Sequence, residues 1–249
     1  MSLDPVAARH AVEHLDRLDR AVPGLVVGLY VIGSAVLDDY HPGRSDLDLV
    51  ARTTHRPTVD EFAAITTAHQ GDGTHIETVY VTGDWPDIGP SPYVRDGEPH
   101  YDDTVKLSAI TRLQLAAYAT ALRGDRPSLP ADVPAAQDYC RGNLTSYWLP
   151  LLDGVAPMLD QRGPDDPVDA GPAIWIGLGP VRLWHTLRTG EVVSKSRAGE
   201  LAADHWPDLG PCLTDIIAVR RGTAIPLTTP HGRAAIEVGR RVMAEARTM

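Results

Sequence analysis

Strand-like runs in this chain crowd into the stretch from residue 25 to residue 82 and nearly disappear after residue 100. That asymmetry is the strongest constraint on its architecture, because strands alternating with helices demand a sheet, whereas helical patterns alone demand a bundle. Leu25-Val26-Val27-Gly28-Leu29-Tyr30-Val31-Ile32 is short, apolar and β-branched, and reads as a buried strand ending at Gly33-Ser34. A Pro42-Gly43 turn leads into Asp46-Leu47-Asp48-Leu49-Val50, which alternates polar and apolar as a second strand. Residues 74–82 form the third. A helix over residues 4–21, with Ala7, Ala11, Leu15 and Leu18 at helical spacing, precedes the first strand, and a helix over 57–69 separates the second from the third. The Pro-, Gly- and Asp-rich stretch 83–99 reads as a surface connection.

Beyond it, helices are expected over 104–123, 134–153, 173–189, 197–206, 208–221 and 230–247, with a loop over 160–172. The expected fold is therefore a small mixed α/β domain over residues 1–102, followed by an all-α helical bundle over 103–249.

The chemistry-bearing segment is Gly33-Ser34 followed, 11 positions after the serine, by Ser45-Asp46-Leu47-Asp48-Leu49. On a strand, residues i and i+2 share a face. Asp46 and Asp48 would then project together, while Leu47 and Leu49 enter a core. Two carboxylates so placed suit Mg²⁺, a hard cation usually shared with substrate phosphates. Gly33 and Ser34, at the end of the preceding strand, suit a phosphate oxygen. Glu77 is an acid inside the otherwise apolar third strand, available as a third ligand or as a proton acceptor. Three carboxylates around two divalent ions, about 3.5–4 Å apart, stabilise the entering and leaving oxygens of phosphoryl or nucleotidyl transfer. A DxD triplet alone is weak evidence, since most are solvated surface pairs. A phosphatase-like DxDxV reading also fits residues 46–50, but it wants an apolar strand directly before the first Asp. Here a turn, His41-Pro42-Gly43-Arg44-Ser45, stands there instead.

Composition narrows the partners. Asp and Glu number 33 against 23 Lys and Arg, a net charge of −10, so nothing favours holding a nucleic-acid backbone. No apolar run approaches the ~20 residues of a membrane helix. The N-terminal residues lack a signal-peptide layout. With Cys140 and Cys212 far apart, neither a disulfide scaffold nor a zinc site is indicated. A cytoplasmic monomer acting on small molecules, without membrane or nucleic-acid partners, is expected.

The stretch Ile32-Gly33-Ser34-Ala35 with Arg44-Ser45-Asp46-Leu47-Asp48-Leu49 resembles the strand–GSA–SDxDL signature of the DNA-polymerase-β-like nucleotidyltransferases. Within them it is similar to the streptomycin/spectinomycin adenylyltransferases. A second element, Val181-Arg182-Leu183-Trp184 through Thr189-Gly190 to Ser194-Lys195-Ser196, resembles that family's ARxW…TG…SKDxAA. The resemblance implies Mg²⁺ and ATP as co-substrate, with Ser34 and Ser45 on phosphate oxygens and Glu77 as general base. It also implies Arg182 and Lys195, 13 apart and the latter one of only two lysines, on the triphosphate. Trp148 and Asp153 would stack on and pair with a cationic aminocyclitol, although Trp148 reads equally well as a core residue. The active site is expected between the two domains. The chain departs from the family in the extra length at 160–172 and in having Arg220-Arg221-Gly222 where relatives often place an aromatic residue. Asp102 and Asp103 are the candidates for an acid near the adenine. The acceptor stays open: an aminoglycoside, or else a protein side chain, an RNA end or a natural-product sugar. A binding-only module of the same fold, like an antitoxin, is the alternative from another class.

Overall fold

Asp4 starts the first helix, α1 (Pro5–Ala21): its carboxylate accepts from the N–H groups of Val6 and Ala7 at 2.8 and 3.0 Å. The computed structural model describes residues 3–70, 74–85 and 87–249, the side chain of Asp103 excepted. It divides into two units, residues 1–132 and 133–249.

In the first unit the three expected strands are β1 (Val26–Val31), β2 (Leu47–Thr53) and β3 (Ile76–Thr82), with α2 (Val59–His69) between the last two. They are joined by β4 (Ser91–Arg95), β5 (Glu98–Val105) and β6 (Thr120–Arg123) in the order β5-β4-β3-β2-β1-β6. Only β2 and β3 run parallel, and all other neighbours are antiparallel. One face of the sheet carries Leu47, Leu49 and Tyr80, and the Tyr80 ring meets Phe62 and His69 of α2. The other holds a core of Tyr30, Ile32, Val50, Val81, Trp85 and Leu115. As expected, Leu47 and Leu49 are buried, at 0% and 2% exposure.

Two expectations fail here. Residues 83–99 are not merely a surface connection: they contain β4 and the start of β5, joined at Asp96-Gly97 with both residues at positive φ (51° and 74°). This is the two-residue turn that matches the twist of a hairpin. Nor is 104–123 one helix. Its centre is α3 (Ala109–Ala117), capped by Ser108, and β6 follows on the edge of β1. Arg123 of β6 makes a double ion pair with Asp19 of α1, at 2.6 and 2.5 Å, and donates to the Val26 carbonyl. The first compact unit runs to residue 132, where the expectation had been 102.

The second unit is built of helices: α4 (Val133–Asn143), α5 (Leu149–Val155), α6 (Pro157–Asp160), α7 (Ala170–Thr189), α8 (Lys195–His205), α9 (Gly210–Arg220) and α10 (Thr229–Ala246). A π turn, Leu144–Trp148, joins α4 to α5. The buried helix α7 packs against α4, α8, α9 and α10. Gly179 on α7 is where Trp148 presses closest; a Cβ there would overlap the indole ring. Glu245 of α10 accepts from the Trp184 indole at 2.8 Å and pairs with His205 at 2.7 Å, joining α7, α8 and α10. Among the described residues no helix is long and apolar enough to cross a membrane.

Candidate active site

β1 ends in a tight 3₁₀ turn, Gly33–Val36, and the first residue of that turn must be glycine for two reasons. Its φ is +70°, and a Cβ would overlap Oδ2 of Asp48. Gly33 was expected to let a phosphate approach; what it admits in this structure is the Asp48 carboxylate. Its N–H is also engaged, donating to Oε1 of Gln114 at 3.0 Å in a buried contact. Next to it, the Ile32 N–H donates to the Asp48 carbonyl at 3.1 Å, so the end of β1 is tied to the start of β2. Ser34 is half-buried. Ser45 is buried, and its Oγ accepts from the His41 N–H at 3.1 Å, which closes the turn before Asp46.

Asp46 is exposed one residue before β2, and Asp48 is half-buried within it. The parallel pairing of β2 with β3 sets Asp48 directly opposite Glu77. Opposed residues share a face, so the two carboxylates lie on the same side of adjacent strands. Burial raises the Glu77 carboxyl above its ordinary range; the guanidinium of Arg95 opposes that, and Asp46 adds to it. Asp46, Asp48 and Glu77 therefore belong to one electrostatic neighbourhood. Arg95 Nε donates to Glu77 Oε2 at 3.1 Å. A recess of about 120 Å³ opens here, walled by Asp48, Glu77, Tyr93, Arg95 and Thr111.

The donor set is oxygen alone, which fits a hard divalent cation and not a soft one. Asp48 lines the recess, Asp46 stands just before β2, and Glu77 has one oxygen on Arg95. Among the described residues no three His, Cys, Asp or Glu side chains are grouped closely enough to hold a metal as they stand. Asp46 and Asp48 offer carboxylate oxygens of the kind such an ion takes, while Oε2 of Glu77 is held by Arg95.

In the second unit, Arg182 reaches the segment that leads into Lys195. Arg182 Nε on α7 donates to the Val193 carbonyl at 3.2 Å, two residues before Lys195 opens α8. Ser194 caps that helix, its Oγ accepting from the Arg197 N–H at 3.2 Å. Trp148 and Asp153 are not brought together as an acceptor platform. Trp148 is 5% exposed, packed on Gly179 and edge-on to Tyr147 and Trp175, whereas Asp153 is exposed on α5. The core reading of Trp148 is the one this packing supports. Asp102 is exposed on the edge strand β5, and the Asp103 side chain lies outside the described residues. Arg221 forms an ion pair with Glu200 at 2.6 Å, while Arg220 is buried.

Two contributors were not foreseen. Arg95, sitting in the stretch read as a connection, pairs with the candidate base. Gln114, one polar residue in an amphipathic pattern, holds Gly33 from 81 residues away. The Asp-Gly turn could have exposed the first; no local signal marks the second.

Neither a family profile nor a curated protein matches the sequence. Among solved structures the chain is similar to spectinomycin adenyltransferase AAD(9) from Enterococcus faecialis, solved with ATP and spectinomycin. The TM-score is 0.69 at 15% identity, over 94% of this chain and 98% of that one. A STING-associated CdnE c-di-GMP synthase from Capnocytophaga granulosa matches at a TM-score of 0.31 and 11% identity, over 98% of this chain and 83% of its own. The first likeness shows that the chain shares the fold of that adenyltransferase.

Proposed function

We propose that this protein transfers AMP from ATP to a hydroxyl of a small polar acceptor, with an aminocyclitol of the spectinomycin class as the first candidate. The observation that carries the reading is the in-register pairing of Asp48 with Glu77, with Gly33 packed on the Asp48 carboxylate, at the strand ends of a nucleotidyltransferase fold. Asp46 and Asp48 would hold Mg²⁺, which when bound neutralises phosphate charge and lowers the pKa of a nearby hydroxyl. Ser34 and the Ser45–Asp46 turn would position the phosphates. Arg182 and Lys195 would supply cationic partners for the triphosphate and for charge gathering on the leaving group. Glu77 accepts the proton of the acceptor hydroxyl; that oxygen bonds to the α-phosphorus as the bridging bond to the β-phosphate breaks, and pyrophosphate leaves. The role of Arg95 is to hold the Glu77 carboxylate in place and offset its burial until substrate arrives.

The test is mass spectrometry of spectinomycin and streptomycin after incubation with Mg-ATP, with pyrophosphate measured in parallel. One adenylyl group should be added with matching pyrophosphate release, and Asp46→Asn and Asp48→Asn should each abolish both while the circular dichroism spectrum is unchanged. Full activity in either variant would refute the mechanism.

A further inference from the structure

The loop between Ser34 and Ser45 contains a buried carboxylate that the reaction above does not use. Asp39 is 2% exposed, and its Oδ1 lies 3.0 Å from Nε2 of His41. A carboxylate taken this far from water persists in a folded protein where hydrogen-bonding partners compensate it. The backbone of the same two residues reaches both ends of the candidate phosphate cradle. The N–H groups of Leu37 and Asp39 both donate to the Ser34 carbonyl at 3.2 Å. The His41 N–H donates to Ser45 Oγ at 3.1 Å, and the His41 carbonyl accepts from the N–H groups of Arg44 and Ser45 at 2.9 Å each. Asp38, beside the buried acid, sits at φ 53°, a conformation that costs an L residue free energy and needs surrounding contacts to hold it.

We propose that Asp39 is a positioning residue: through His41 it locks the 37–45 loop, so that Ser34 and Ser45–Asp46 are presented to the triphosphate of a nucleotide already in their binding geometry. The proposal rests on the nucleotide-transfer reading. Its physical content is preorganisation. A loop fixed before binding spares the ordering cost that a loose loop would subtract from affinity. The carboxylate–imidazole contact and the Ser45 Oγ bond each join one part of this loop to another and share His41, so releasing the first should loosen both ends together.

Two measurements on the full chain test it, and neither needs the acceptor. Hydrogen exchange of the 37–45 amides is followed in the ligand-free protein, and binding of Mg-ATP is followed by calorimetry. In Asp39→Ala the Asp39, His41 and Ser45 region should exchange at least about tenfold faster, and the Kd for Mg-ATP should rise about tenfold. Asp39→Asn, which still offers an oxygen to His41, should stay within about threefold of the parent in both. His41→Ala should behave like Asp39→Ala, and it carries the comparison if the latter does not fold. The proposal is overturned if folded Asp39→Ala or His41→Ala matches the parent in exchange and affinity. It is equally overturned if Asp39→Asn loses affinity as fully as Asp39→Ala in step with a lower melting temperature, since the acid is then only structural. A parent protein that protects the loop yet does not bind Mg-ATP would instead overturn the nucleotide reading, and the presentation role with it, while leaving the lock itself visible in the exchange data.

Discussion

Replacing His14 with leucine should make the first unit more stable and, more tellingly, less sensitive to acid. His14 sits on the inner face of α1 at 0% exposure, and neither ring nitrogen has a hydrogen-bond partner among the described residues. Its ring meets that of His69 edge-on at 4.4 Å, with Arg17 also adding positive charge nearby. Burial, followed by those two neighbours, lowers its pKa from 6.5 to about 2; burial lowers that of His69 from 6.5 to about 4. Both are therefore neutral in the folded protein at pH 5, whereas in the unfolded chain both are mostly protonated. The unfolded state then binds more protons, so stability is complete above pH 6.5 and is lost as the pH falls below it. At pH 5, about 1.5 units below the unfolded value, each histidine removes about 2 kcal/mol, or about 4 kcal/mol together. His14→Leu should halve that loss. It should also add about 1–3 kcal/mol at pH 8 by removing two unsatisfied buried nitrogens. The assay is urea unfolding at pH 8 and pH 5, read from the ¹⁹F resonance of 5-fluorotryptophan at Trp85, which reports on the first unit and its core. A His14→Leu variant with the same pH dependence as the parent would refute the reasoning, whatever its absolute stability.

The close contacts made by two glycines give further predictions. Gly33→Ala should cost about 1–3 kcal/mol, for a side chain at φ +70° pushed against Asp48, and should lower the proposed adenylyl transfer at least about 100-fold by displacing that carboxylate; urea melts and a pyrophosphate assay check the two parts separately. Gly179→Ala should destabilise the second unit by about 1–3 kcal/mol, because the added methyl meets the Trp148 ring in a packed interior. Thermal melts followed by near-ultraviolet circular dichroism would show it, and restoration by Trp148→Phe would identify the contact.

Legibility followed the range of the interactions involved. The alternation of Asp46-Leu47-Asp48-Leu49 identified both the strand and its two faces, because a strand's period of two is a local property. The break after Ile32 was equally clear. The hairpin of β4 and β5 was readable but missed: Asp96-Gly97 is a standard two-residue turn, hidden within a stretch whose prolines and acids suggested a loop. β6 was not readable. Thr-Ala-Leu-Arg has little strand preference of its own, and its pairing with β1, like the contact of Arg123 with Asp19 104 residues earlier, joins segments far apart in sequence. Trp148 illustrates the same limit in the second unit. Its spacing from Asp153 suggested a shared role, but the π turn and the gap at Gly179 take the ring inward.

The sequence by itself determined the division between a strand-bearing part and a helical part, and it singled out Gly33–Ser34, Asp46, Asp48 and Glu77 as the candidate site. Periodicity and residue type are enough for that, since each residue's backbone tendency and polarity act over a few positions. Tertiary structure alone decided that Glu77 stands opposite Asp48, that Arg95 engages it and that Gln114 holds Gly33. It also decided that the first unit runs to residue 132. Those facts depend on strand order and register, which are settled when distant segments bury their apolar faces against one another, and no short window of sequence records which partners will meet.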